Sequence, residues 1–408
     1  MSVSLADYRS ALTVPGATLP VVFSGIGRLP IAMYSFATLL YVQRVEGSFA
    51  TAGLVSAGSL VGAAIGSVAQ GRLMDRRGPS GVLLVVSTLF TVAAAALVAG
   101  IESGAPLPLI VGLAFFSGLV MPAMPAATRA LWERLVPSGR LREAALSYEA
   151  ISLEVFFILG PGLAALLASG PWPGTGTAVA VLATVVGAVG FALTAAVRAT
   201  PPMRPAGRPT LLGAIGTPGI RTAALTGLGF GLVVGAVELG VPAVATQHGE
   251  PWLGGALLSA WSVTSVLVGV LYGMRPWPRA LHLRMPVLVT GFGVLVLLMW
   301  ATASSLPLLI VAMLLAGGLI TPQTTGQSLV VDAVAEPGTA TEAFGWVVTA
   351  ITVGAAVGQS LAGTVVEAWG ASGAFAVGGF AGVLVGIVLW LRRRTIESPP
   401  DVVQLSLH

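Results

Sequence analysis

Cysteine and lysine are both absent from this 408-residue chain, and charge of either sign is scarce. The lack of cysteine excludes disulfides, thiolate chemistry and cysteine-based metal sites. With no lysine, all 20 basic residues are arginine, a codon-usage signature of a GC-rich genome that points to a bacterial source. Histidine occurs only at His248, His282 and His408, in expected loops or the tail, which gives no metal-ligand spacing. No long polar block is present, which leaves no room for a separate soluble domain. Nor do the apolar stretches hold a Ser/His/Asp set, a metal cluster or a phosphate loop, so nothing calls for an enzyme or a cofactor.

What the chain has in quantity is apolar surface. Hydrophobic residues make up 55% and charged residues 9%, against about 25% charged in soluble domains. Mean hydropathy is +0.92. A polytopic membrane protein follows. The pI near 10.1 then marks membrane-flanking arginines rather than a nucleic-acid partner. The polar start, with Asp7 and Arg9, runs into a segment long enough to stay in the bilayer, so no cleavable signal peptide is expected.

A helical span needs about 20 mostly apolar residues. Twelve are expected, at 17–42, 50–70, 80–101, 106–129, 143–168, 176–197, 218–245, 253–274, 284–303, 306–330, 341–367 and 372–391. Only one connection is long, the Pro/Arg-rich stretch 198–217. The expected organisation is a six-helix bundle over 1–197, a cytoplasmic linker over 198–217, a second bundle over 218–394 and a cytoplasmic tail over 395–408. Arginines set the orientation. With both ends inside, the stretches 72–77, 134–142, 198–208, 275–284 and 392–394 are cytoplasmic, and Arg44 alone is outside. Trp132, Trp252 and Trp277 lie at span ends and suit an interfacial belt.

The halves repeat. Gly118-Leu119-Val120-Met121-Pro122 in span 4 matches Gly318-Leu319-Ile320-Thr321-Pro322 in span 10, and Pro137 matches Pro337. Gly25-Ile26-Gly27 matches Gly227-Leu228-Gly229, and Ser56, Ala57, Ser59 and Gly66 match Ser259, Ala260, Ser262 and Gly269. The offset is nearly constant and the order is kept. Parallel repeats of this kind build transporters, with the solute near the midplane between them.

Between spans 2 and 3 stands Gly71-Arg72-Leu73-Met74-Asp75-Arg76-Arg77-Gly78. This resembles the signature loop of the major facilitator superfamily, G-x-L-x-D-R-x-G, and the resemblance extends over the whole chain. It implies an all-α membrane fold of twelve transmembrane helices in two pseudo-symmetric six-helix bundles, N-in and C-in, working by alternating access. It also implies that Asp75, with Gly71, Arg76, Gly78 and Arg129, helps lock the cytoplasmic side. An acidic group near a helix N-terminus is favoured by the macrodipole, which suits Asp75 to that role. The second-half counterpart around Gly273-Met274-Arg275-Pro276 has lost the Asp. Gly160-Pro161-Gly162 in span 5 resembles the Gly-Pro element of the family's proton-driven exporters, though Pro is common in membrane helices anyway. The arginine those exporters carry in helix 4 is missing, where Ala114-Phe115-Phe116-Ser117 stands instead.

Charges within the spans are functional candidates by default, since each costs roughly 2.5–3.5 kcal/mol on insertion scales. Arg28 and Glu154 lie near the midplanes of spans 1 and 5, and an Arg28–Glu154 ion pair is expected, either as a titrating switch or as a permanent structural link. Glu149 stands about 140° around the helix from Glu154, and Glu238 lies in the outer half of span 7. A carboxylate withdrawn from water without a partner suits proton uptake and release. The resemblance places helices 1, 4, 7 and 10 around the cavity, so Met33, Tyr34, Met121, Met124, Gln323, Thr324 and Gln327 are candidate lining groups. Their mix suits an amphipathic or apolar solute better than a sugar. The expected function is proton-coupled efflux of such a solute by a monomer in a bacterial inner membrane, with protons, the solute and lipid as its partners. An importer or uniporter, or a transporter-like sensor, are the alternatives.

Overall fold

The computed structural model describes residues 5–136, 140–202, 214–274, 280–336 and 339–397. Residues 203–213 of the expected linker, the tail from 398, Pro137, Pro337, Arg275–Pro276 and Trp277 lie outside the described residues. Among the described residues there is helix and no strand, as a bilayer requires of a chain that cannot hydrogen-bond its backbone to lipid.

The helices are α1 (Leu5–Leu12), α2 (Thr18–Arg28), α3 (Tyr34–Glu46), α4 (Phe49–Arg77), α5 (Pro79–Glu102), α6 (Leu107–Val120), α7 (Met124–Leu135), α8 (Arg140–Ala168) and α9 (Thr175–Leu193). The short α10 (Ala195–Arg198) follows, then α11 (Pro218–Gln247), α12 (Trp252–Gly273), α13 (Leu281–Thr302) and α14 (Leu306–Gly317). The series ends with α15 (Ile320–Val334), α16 (Ala340–Trp369) and α17 (Gly373–Arg392). Among the described residues, ten helices are long and apolar enough to cross a membrane when α14 and α15 are counted together as Leu306–Val334, and eleven when the bent pair in span 1 is also taken as one. The fourth expected span appears as α6, too short alone, and then α7.

Three expected spans are therefore broken, and proline explains where. Pro has no N–H and clashes with the preceding turn, so it disrupts a helix interior and sits best at a helix start. Span 1 turns by 41° between Thr18–Ala32 and Tyr34–Glu46, around Pro30 in a 3-10 turn. Span 4 breaks at Met121–Ala123, beside Pro122 and Pro125. Span 10 breaks at Gly318–Leu319, with Pro322 in the first turn of α15. The repeated Gly-x-x-x-Pro segments of the two halves thus mark the two equivalent breaks.

The chain forms two compact units, Met1–Gly207 with Ala245–Ser259, and Arg208–Val244 with Ala260–His408. In the first, α4 and α6 pack at backbone contact. A Cβ on Gly62 would overlap the carbonyl oxygen of Phe115, and one on Gly118 that of Ser59. In the second, α11 and α16 do the same, where Gly231 and Gly235 meet Ile351 and Ala355, and Gly354 and Gly358 meet Leu228 and Leu232. Small residues at four-residue spacing let membrane helices approach this closely. Gly62→Ala is expected to lower stability by about 1–3 kcal/mol, the range for overpacking. The readout is the thermal midpoint of purified protein, and an unchanged midpoint would mean that α4 and α6 separate without penalty.

The amino-terminal α1 docks on the first unit. Tyr8 hydrogen-bonds Ser147 at 2.7 Å, and Ala11 and Ala17 pack with Trp132, Val136, Ala144 and Ala145.

Candidate functional site

The break at Pro30 makes Arg28 the last residue of α2, and only 1% of it is exposed. The expected Arg28–Glu154 pair does not form. Glu149 takes the guanidinium instead, with Arg28 Nη1 2.5 Å from its Oε2 and Nη2 donating to its backbone carbonyl at 2.7 Å. Depth explains the correction. Arg28 follows the start of α2 by ten residues and Glu149 that of α8 by nine, whereas Glu154 follows by fourteen. The 140° between the two glutamates then turns Glu154 off that face.

Two residues of α7 complete the cage around Glu149. Trp132 Nε1 donates to Oε1 at 2.9 Å, and Thr128 Oγ1 donates to Oε2 at 3.2 Å. Trp132 is buried rather than interfacial, which corrects its expected place in an aromatic belt. Glu149 is therefore a satisfied carboxylate that ties α2, α7 and α8 together. Glu154 is exposed and has no hydrogen bond or ion pair among the described residues. Glu238, half-buried in α11, accepts from Gln359 Nε2 on α16 at 2.9 Å, a neutral partner.

The signature segment is less a loop than expected. Gly71 to Arg77 continue α4 for nearly two turns, and only Gly78, at φ +81°, turns the chain into Pro79 at the start of α5. Arg, Leu, Met and Asp carry no helix-breaking feature here, so helix persists until a left-handed position is needed. Met74 anchors the segment among Val82, Leu83, Met124, Leu131 and Phe191. Asp75 and Arg76 are exposed, and Asp75 has no ion pair among the described residues. Arg129 lies in α7 with its side chain outside the described residues.

Gly160-Pro161-Gly162 lies inside α8. Gly160 lets Ala32 approach, since a Cβ there would stand 3.0 Å from that of Ala32. The Gly162 N–H donates to Ser259 Oγ at 3.1 Å, and Gly255 abuts the Pro161 carbonyl. Ser259 and Gly255 belong to the part of α12 that the first unit contains.

The expected cavity groups divide. Tyr34 is buried, donates to Ser117 at 2.8 Å and meets Phe90 edge-on. Gln327 Nε2 donates to the Ala223 carbonyl at 3.0 Å, and Met33 and Met124 are buried. These four serve packing in this structure. Met121 and Thr324 are half-buried. Gln323 is fully buried, yet neither its Oε1 nor its Nε2 has a partner. Such a group is rare and costs roughly 1–3 kcal/mol while unpaired. Trp261 packs on Phe292, with centroids 6.3 Å apart and rings 14° from parallel.

Two groups escaped the sequence. Glu102, at the end of α5, accepts from Tyr41 at 2.5 Å and Trp172 at 2.7 Å, joining three segments of the first unit. Gln70 of α4 is buried against the break in span 4. A lone amide in an apolar span is the signal that could have flagged it.

The family model described as Major Facilitator Superfamily matches residues 22–341. No curated protein matches the chain. Among solved structures, the nucleoside transporter NupG superposes with a TM-score of 0.72 at 12% identity, over 92% of this chain and 99% of that one. A bacterial homologue of the iron transporter ferroportin, in its inward-facing state, gives 0.71 at 14%, over 96% and 99%. A D-xylose–proton symporter gives 0.67 at 15%, over 90% and 96%. At such identities the likeness is one of fold.

Proposed function

This chain belongs to the major facilitator superfamily, and on that premise we propose that it exports a drug-like or amphipathic metabolite by alternating access, driven by protons. It is a multi-pass membrane transporter of small-molecule solutes rather than an enzyme. The finer reading is of twelve spans with both ends inside, in a bacterial cytoplasmic membrane, acting as a monomer.

The observation that carries the coupling is a charge inventory. Arg28 is neutralised by Glu149, so the helix-buried positive charge is used within one unit. Glu154 has no counter-ion among the described residues, and Glu238 has only an amide. Two uncompensated carboxylates suit protons and cationic amphiphiles. The half-buried Met121 and Thr324 add an apolar surface with one hydroxyl, and the Gly-Pro element in α8 resembles that of proton-driven exporters. Asp75 and its neighbours serve cytoplasmic closure in this reading, so Asp75→Asn slows transport without unfolding the protein.

The test uses the cationic dye ethidium in proteoliposomes of inside-out orientation. An acid interior is expected to drive ethidium into the lumen, and a protonophore to abolish the movement. Ethidium moving with the protons would establish the importer reading, and no gradient-dependent movement would remove the proposal for amphipathic cations.

A further inference from the structure

Span 4 breaks in a particular way. In an unbroken helix, the carbonyl of residue i accepts from the N–H of residue i+4. Pro122 and Pro125 have no N–H, so the carbonyls of Gly118 and Met121 lose their ordinary donors. Gly118 is served by a tighter turn, from Met121 N at 3.1 Å. The Met121 carbonyl has no such substitute along the chain.

Gln70 supplies it from α4. Its Nε2 donates to the Met121 carbonyl at 2.9 Å and to the Leu119 carbonyl at 3.1 Å. Its Oε1 accepts from the Ala123 N–H at 3.0 Å. Leu119 and Ala123 are four residues apart, the pair that an intact helix would bond directly. The side-chain amide is thus spliced into one helical hydrogen bond, with its donor on the carbonyl side and its acceptor on the N–H side. Gln70 is 5% exposed, so water does not compete freely for these groups. At the offset that relates Ser56 to Ser259, the second half has Gly273, and among the described residues no equivalent amide serves the break in span 10.

Gln70 is also the residue immediately before the signature segment. From Gln70 to Arg77, α4 is continuous, so the turn that carries Gly71 and Asp75 and the amide that holds the break form one rigid piece. Within the break Met121 is half-buried, and beyond it Met124 begins α7.

We propose that Gln70 is a positioning residue that holds the span-4 break and transmits movement of the Asp75 end of α4 to Met121 and Met124. Withdrawal of the amide frees Leu119 and Ala123, which makes the break an element with two discrete arrangements. The consequence for solute movement rests on the transport reading above; the hinge itself does not.

The test is hydrogen exchange on the full chain in lipid nanodiscs, with ethidium transport measured in parallel. Gln70→Met keeps the volume and removes all three hydrogen bonds. Amide exchange across 119–124 is expected to rise about tenfold or more, with α5 unchanged, as for a local opening. Asp75→Asn is expected to raise exchange over 119–124 in the otherwise native chain, and to add nothing in the Gln70→Met background. Unchanged exchange in Gln70→Met overturns the hinge. An Asp75→Asn effect that is absent, or that persists at full size without Gln70, overturns the transmission. Should Gln70→Met fail to fold, Gln70→Glu decides, because it keeps the acceptor for Ala123 and loses both donors. It is expected to raise exchange by about threefold, and no rise overturns the proposal. In transport, Gln70→Met is expected to lower turnover while KM stays within about threefold. A wild-type protein that moves no ethidium defeats the transport reading for that probe and leaves the exchange result to judge Gln70.

Discussion

Glu149→Ala is expected to cost the protein about 3–5 kcal/mol of stability, the range for removing one partner of a buried ion pair. The reason is what the substitution leaves behind. Arg28 would remain 1% exposed with no anion, its Nε already lacking a partner. Trp132 Nε1 would lose its acceptor, and Thr128 one of its hydrogen bonds. Each stranded donor adds its own desolvation cost. Replacing both charges, as Arg28→Met with Glu149→Met, is expected to be milder than either single change, because no buried charge is then uncompensated. Denaturant unfolding in mixed micelles gives the four free energies of the cycle. A Glu149→Ala loss below about 1 kcal/mol, typical of a solvated surface pair, would contradict the burial of this cage. Arg28→Lys is expected to fall between, since it keeps charge but cannot reach two oxygens with a planar fork.

Glu154→Gln is expected to abolish gradient-driven accumulation while leaving solute binding within about twofold, because a neutral amide cannot exchange a proton between the two faces. The substitution removes no partner seen among the described residues, so folding should be indifferent to it. That separates it from Glu149, where function and stability would fail together. Glu238→Gln should do less, for its replacement still offers an acceptor to Gln359. Ethidium accumulation in proteoliposomes and ethidium binding in detergent, measured side by side, give the result. Full accumulation by Glu154→Gln would move the proton site to Glu238.

Class and family were legible because they rest on long-range regularities. Hydropathy sets the helices, the 200-residue offset between Gly118 and Gly318 sets the repeat, and Gly71–Gly78 is a contiguous string. Residues that act across helices were legible only in part. Arg28 and the two glutamates stood out by charge, but their pairing depends on where α8 begins. A shift of five residues in depth exchanges Glu149 for Glu154. Prolines 30, 122 and 125 announced trouble in spans 1 and 4, yet a straight span count absorbs a break without notice. Gln70 was hidden for a different reason. Its partners are backbone atoms, and no residue identity at 119, 121 or 123 encodes them.

The docking of α1 sets an order of events in synthesis. Tyr8 and Ser147 are 139 residues apart in the chain, and nascent chains lengthen at about 5–20 residues per second. After its own synthesis α1 therefore waits on the order of ten seconds for its seat to be made. Throughout that interval Ala11 and Ala17 lack their packing against Trp132 and Val136. α1 is thus a part of the first unit that settles only after α8 has been made.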